Sequence, residues 1–290
     1  MKIKEITPEA WRKLFDKSDS SNFFQSPDWL EVQAKVFKLK NRFFEIVSEN
    51  TSYFISFQES GDKLYSNFIA YGGFIFPINQ TLNLKLYSQT IKLVEKKTKK
   101  IIVRMKLSPF SNYINENKTF QTLTTALLQL RKNYLEQNRY INKKTRNLIR
   151  FAQKNEVVIQ PIKEEDIDKF YEFYKKTMTR VKSSYLTPIE IFKFFSHHPS
   201  VFFLGAYKNN DLIAGSVFLK SNKVIYYWSN CSTDIGRKLK ANYLLIHTAI
   251  NIGIHDNCLY IDMGSSHKPE IEKPKLKWGA EKVIFYSYEK

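Results

Sequence analysis

The chain has 290 residues, 43% of them hydrophobic, enough apolar material for a sizeable core and for two domains. No run approaches the roughly 20 apolar residues that span a bilayer, and residues 1–18 lack the apolar stretch of a signal peptide. Cys231 and Cys258 are too few for a disulfide framework, so a soluble, cytoplasmic chain with a reduced interior is predicted. The net charge of +18 reads either as attraction to a polyanion (tRNA, a nucleotide-linked precursor or an anionic membrane face) or as the usage of an AT-rich coding sequence. With 37 lysines against nine arginines, a reader of DNA bases is not expected.

Residues 2–6 alternate as a short strand. Thr7-Pro8-Glu9 supplies a hydroxyl cap, a first-position proline and an acid in the first turn, so a helix begins there and runs to about Phe15. Ser26-Pro27-Asp28 repeats the signature for a second helix through Trp29, Val32 and Val36. Strands are predicted over 42–47, 53–58 and 64–71, parted by polar turns at Glu49-Asn50-Thr51 and Ser60-Gly61-Asp62. A helix over 82–96 and a strand over 101–107 complete the first half. Residues 120–130 read as a further strand, and 142–155 as a basic helix connecting two domains, 1–141 and 142–290.

The second half gives the same order. A strand over 157–161 precedes an amphipathic helix over 164–181, with Ile167, Phe170, Phe173 and Tyr174 at helical spacing. Thr187-Pro188-Ile189-Glu190 starts the next helix, which runs to Ser196. Strands over 201–207, 212–220 and 224–230 follow, then a helix over 242–255, a strand over 259–263 and a closing strand over 283–288. One strand–helix–helix–three-strand–helix–strand unit is thus used twice, the element order of the GNAT acyltransferase fold. The predicted class is α/β (α+β): two tandem GNAT-like domains, mixed sheets flanked by helices, with no coiled-coil arm.

Several chemistries are not written in the chain. It has no Gly-Xaa-Gly-Xaa-Xaa-Gly or Walker loop, no Cys-Xaa-Xaa-Cys, no His-Glu-Xaa-Xaa-His and no Gly-Xaa-Ser-Xaa-Gly. No metal site is expected, and His197-His198-Pro199 reads as a solvated turn. In a GNAT domain a phosphate lies on the N-terminus of the helix after the fourth strand. The matching stretch runs from Asp234 to Asn242, with Arg237 and Lys240 at suitable spacing, Lys240 where glycine is usual, and Asn242 suited to an N-cap.

Four further stretches carry a more specific resemblance. Lys144-Thr145-Arg146-Asn147-Leu148-Ile149-Arg150-Phe151-Ala152-Gln153-Lys154-Asn155-Glu156-Val157 resembles the R-x-I-R-K-A-x-K-x-G-V run of FemAB-like, peptidoglycan-bridge (FemX-type) acyltransferases. Phe24-Gln25-Ser26-Pro27-Asp28-Trp29 is similar to their Q-S-x-x-W, and Thr177-Met178-Thr179-Arg180 to their T-x-x-R. Asp262-Met263-Gly264-Ser265-Ser266 with Lys275-Leu276-Lys277-Trp278-Gly279-Ala280-Glu281 is similar to D-x-G-x-S … F-K-x-x-W-G-A, with Pro274 in place of the aromatic.

The resemblance implies acyl or aminoacyl transfer to an amine of a peptidoglycan or surface-glycan precursor held in an inter-domain cleft. It implies Arg180 as a phosphate or carboxylate clamp, Tyr227 as a hydrogen-bonding group and Lys275 as a charge stabiliser. Gln33 and Lys35 stand where a cleft-facing lysine is usual. The residues alone leave Arg180 open as a helix cap, Tyr227 as core and Lys275 as a solvated lysine. The resemblance implies aminoacyl-tRNA or acetyl-CoA as donor, with no tightly bound cofactor expected, and as candidate partners a nucleotide-linked precursor, tRNA and, peripherally, an anionic membrane. Two rival readings stand beside this one: CoA-dependent N-acetylation of a nucleotide sugar, and a non-catalytic basic module binding RNA or envelope.

Overall fold

A computed structural model describes residues 1–48, 51–76, 82–110, 113–114, 119–265 and 268–290; the turn expected at Glu49-Asn50 and Ser266 of the tail motif lie outside them. In chain order the first elements are β1 (Lys2–Ile6), α1 (Pro8–Lys17), α2 (Pro27–Phe37), β2 (Lys40–Ser48), β3 (Thr51–Ser60) and β4 (Lys63–Tyr65). Then come β5 (Phe74–Ile75), β6 (Leu82–Asn83), α3 (Leu84–Thr98), β7 (Ile101–Lys106), β8 (Tyr113–Ile114) and β9 (Gln121–Gln129). After these lie α4 (Tyr134–Tyr140), α5 (Lys143–Lys154), β10 (Val158–Pro161), α6 (Ile167–Arg180), α7 (Ile189–Phe195), β11 (Val201–Lys208) and β12 (Asp211–Ser221). The chain ends with β13 (Val224–Ser232), α8 (Asp234–Lys238), α9 (Ala241–His255), β14 (Tyr260–Ser265), α10 (Pro269–Leu276) and β15 (Glu281–Glu289).

Two compact units result, Met1–Thr124 with Val283–Lys290, and Thr125–Lys282. The first unit orders its strands β1-β2-β3-β4-β7-β15, antiparallel except for the parallel pair β4–β7. Trp11, Trp29 and Leu30 of α1 and α2 are fully buried, Trp11 stacking on Phe43 at 5.1 Å. The alternate residue Phe44 joins the cluster that α3 builds with Tyr87, Ile91 and Val94. Thr7 and Ser26 cap as their sequence signatures require, accepting from Ala10 N and Trp29 N, each at 3.2 Å.

The second unit orders its strands β10-β11-β12-β13-β14-β9, again with one parallel pair, β13–β14. α5 and α9 pack on it through Ile149, Ala152, Leu245 and Ile250, in one cluster with Phe218 and Ile225. Phe170 of α6 and Phe192 of α7 meet Phe203 at 6.0 and 6.3 Å, so the alternate residue of β11 serves α6 and α7. The strand–helix–helix–three-strand–helix–strand order is therefore present twice, and in both copies the parallel pair follows the crossover helix.

Five expectations need correction. The closing strand pairs with β7 (Ser287↔Lys106), placing residues 283–290 in the first unit. Residues from Thr125 pair with β14 (Ser265↔Thr125, Leu128↔Ile261), so the units divide at 124/125 and not at 141/142. The strand predicted over 64–71 stops at Tyr65, because Asn67 accepts from Ile69 N and Ala70 N and turns the chain. Thr187 does not cap α7; its hydroxyl accepts from the Tyr174 phenol at 3.2 Å, and the N-cap is Pro188. Helices α4, α8 and α10 were not expected at all.

Candidate functional site

β12 and β13 slip register between Val217 and Phe218, opposite Ser229 and Tyr227. The parallel pairing of β13 with β14 ends at Tyr226↔Asp262, although β13 continues to Ser232. The backbone that leaves this point leads into α8. Thr233 caps it, accepting from Gly236 N at 3.1 Å while donating to Ile213 O at 2.9 Å. Gly236 permits the contact: a Cβ there would lie 2.3 Å from Ile213 O.

A pocket of about 280 Å³ forms between α6 and α8, lined by Phe173, Lys176, Thr177, Arg180, Thr233 and Arg237, among others. Arg237 is anchored, donating to Ser232 O at 3.0 Å and to the Asp234 carboxylate. Arg180 is exposed and has no hydrogen bond or ion pair among the described residues; the C-cap amide of α6 bonds Thr177 O and Thr179 O without it. The hydroxyls nearby are satisfied locally, Thr179 by Lys175 O at 3.1 Å and Thr177 by Ser232 N at 3.3 Å. Lys176, one helical turn before Arg180, adds a third cation, and its i, i+4 relation to Arg180 was readable in the sequence. Three cations and one carboxylate, Asp234, line this pocket, a balance that suits an anionic group.

Arg237 also lines a second pocket of about 480 Å³, with Lys144, Leu148, Lys240, Asn242 and Tyr243. Lys240 adopts φ 60°, ψ 29° at the N-cap of α9, the left-handed conformation that favours glycine, and gives no side-chain cap. Asn242 therefore lies inside the helix and is not the cap, and its buried Oδ1 has no hydrogen-bond partner. Three cations and no carboxylate line this pocket beside the start of α9.

The tail motif closes on itself. Asp262 is 2% exposed and accepts from Thr125 Oγ1 at 2.6 Å and from Gly264 N at 2.8 Å. Gly264, at φ 79°, turns β14 so that its carbonyl and that of Ser265 accept from Lys275 Nζ at 2.8 and 2.6 Å. Burial pulls the Lys275 ammonium down to about 8, with the Asp262 charge opposing. Among the described residues two of its three N–H donors are engaged. Asp262 lay inside the quoted motif without being chosen as a site residue, and Thr125, 137 positions away, gave no local signal.

Tyr227 is half-buried, stacks on Phe218 at 5.1 Å and packs against the core of the second unit. Burial raises its phenol above the ordinary range while the Ser216 side chain opposes the shift, and it lines neither pocket. Gln33 is wholly buried in the first unit and donates to Asn67 Oδ1 at 3.3 Å, supporting the turn at 67–70 instead of offering its amide to solvent. Lys35, on the same helix, is exposed.

Among the described residues no helix is long and apolar enough to cross a membrane, and no His/Cys/Asp/Glu group could hold a metal. No curated protein matches the sequence. The structure is similar to that of FemX, with TM-score 0.70 and 12% identity, covering 100% of this chain and 98% of that one. It is also similar to L-PGS from Bacillus licheniformis (TM-score 0.60, 11% identity, 98% and 93% covered). A tandem GNAT protein of the clavulanic acid pathway gives TM-score 0.51 at 7% identity, with 99% and 98% covered. At these identities the likeness establishes the fold, a tandem GNAT-like one. The family model for FemAB-like proteins, described as peptidoglycan biosynthesis/recognition, matches residues 81–272, and the chain belongs to that family.

Proposed function

We propose that the protein is a transferase that forms an amide on an amino group of a peptidoglycan or surface-glycan precursor, using an aminoacyl or acyl ester or thioester as donor. The observation that carries this reading is the unpartnered Arg180 beside Lys176 and Arg237 in one pocket of a FemAB-family chain. A cation free of internal partners is available to hold an anionic donor or acceptor in register, and positioning is most of what such a reaction needs. The neutral amine attacks the donor carbonyl and the C–O or C–S bond breaks. The amine proton leaves, and the departing hydroxyl or thiol takes one up. In this reading the remaining N–H of Lys275 supports the developing oxyanion, and Tyr227 donates to the same intermediate.

The uncapped start of α9 with Lys144, Arg237 and Lys240 favours a phosphate-bearing donor, which suits acetyl-CoA and aminoacyl-tRNA alike. The partner set in this reading is a nucleotide-linked precursor and tRNA. Incubation with radiolabelled aminoacyl-tRNA or acetyl-CoA and an envelope-precursor extract separates the two donors. No labelled product with either would favour the non-catalytic binding reading.

A further inference from the structure

A third pocket, a groove of about 470 Å³, lies on the helical side of the second unit and shares no residue with the two pockets above. Tyr134 and Asn138 of α4, Arg146, Arg150 and Gln153 of α5, and His247 of α9 are among its walls. Arg146 is fixed in place, its Nη1 donating to Asn138 O at 2.8 Å and Ile141 O at 2.9 Å where α4 ends. Its other nitrogens remain unengaged among the described residues. Arg150 follows one turn later, its Nη1 donating to Asn147 Oδ1 at 3.3 Å, and it lines the same groove as Arg146 and Tyr134. The His247 ring meets Tyr134 edge-on at 4.7 Å and 87°. Burial lowers the His247 imidazole from its ordinary value, so near pH 7 it offers hydrogen bonds and not charge.

No carboxylate is among the lining residues, and segment 131–154 carries eight Lys and Arg against the single acid Glu136. Two guanidinium forks suit a phosphate. The volume, within the roughly 300–1,000 Å³ of small-molecule sites, exceeds what a phosphate alone fills. The Tyr134–His247 wall offers a ring for a base to stack on, with amides at its edge. We propose that this groove binds a nucleoside phosphate, with the phosphate on Arg146 and Arg150, the base against Tyr134 and His247, and Asn138 and Gln153 at its polar edge. The ligand is either a free mononucleotide or one nucleotide of an RNA strand. The groove shares no lining residue with the two pockets assigned to the transfer reaction.

The test titrates the full chain with AMP, UMP, inorganic phosphate and a single-stranded RNA oligonucleotide. Calorimetry gives the affinity, and imidazole NMR, assigned with His247→Gln, gives the location. The expected result is a shift of the His247 resonance with a mononucleotide, and affinity weakened at least about tenfold by Arg150→Ala. Lys193→Ala, an equal charge change on α7, leaves affinity unaltered. RNA that competes with the mononucleotide identifies a strand as the source, and RNA that does not identifies the free nucleotide. The proposal is overturned by a silent His247 resonance up to about 10 mM probe, by phosphate binding as tightly as nucleotide, or by unchanged affinity in the exposed Arg150→Ala variant.

Discussion

Arg180, in the last turn of α6, and Arg237, on α8, line one pocket, yet only Arg237 is held by its own chain, through Ser232 O and Asp234. Their losses should therefore differ. Removing Arg180 would delete the proposed anion contact and leave no group among the described residues unpaired. Removing Arg237 also strands a carbonyl and a carboxylate.

Arg180→Ala is expected to lower turnover at least about tenfold, since a charge-assisted hydrogen bond contributes about 1.5–3 kcal/mol. Its unfolding midpoint should match wild type. Steady-state kinetics beside thermal circular dichroism decides this. Wild-type turnover would return Arg180 to the role of an exposed helix-end cation.

Lys275 predicts a pH dependence of definite sign. With its ammonium pulled from 10.5 to about 8, the charge proposed to support the oxyanion is lost as pH rises through about 8, and activity should fall there. Lys275→Arg, charged throughout, should lose that fall. Between about 8 and 10.5 the unfolded chain holds this proton and the folded chain does not, so the group makes stability rise with pH in that window. Lys275→Met should remove the rise. Urea unfolding at several pH values and a pH–rate profile check the two halves separately.

What could be read from the sequence was local. Thr7 and Ser26 announce their helices because a cap and its amide lie three residues apart. The two GNAT-like passes are legible from caps, turn residues and hydrophobic period, all of them local signals. Residues 283–290 were assigned to the wrong unit because a strand does not name its partner, and β7 lies far earlier in the chain. Helix α10 carries Pro274 inside it, which argues against a helix there. The site was partly legible: Arg180 and Arg237 meet in one pocket as chosen, whereas Gln33 is buried and Asn242 does not cap. Burial and the start of a helix behind a left-handed Lys240 depend on tertiary packing that no motif encodes.

Gly236→Ala would press a Cβ to 2.3 Å from Ile213 O, a backbone atom that cannot swing aside. A loss of about 1–3 kcal/mol is expected in urea unfolding. Arg237 should shift with α8, so anion binding in both pockets it lines should weaken together.

Asp262→Ala leaves the Thr125 hydroxyl and Gly264 N without their buried acceptor. About 1–3 kcal/mol of stability should go with it. Asp262→Asn, which keeps one acceptor oxygen, should lose less. Denaturant midpoints of the two variants give the order directly.

The central claim, amide formation on an envelope-precursor amine, is tested most directly by mass spectrometry of an amine-bearing precursor after incubation with donor and enzyme. The expected product is heavier by the donor's acyl or aminoacyl group less the displaced hydrogen, carries the original amine as an amide, and keeps that linkage through hydroxylamine treatment. Arg180→Ala should yield the same product more slowly. An unmodified precursor with every donor, or a hydroxylamine-labile ester, would contradict it.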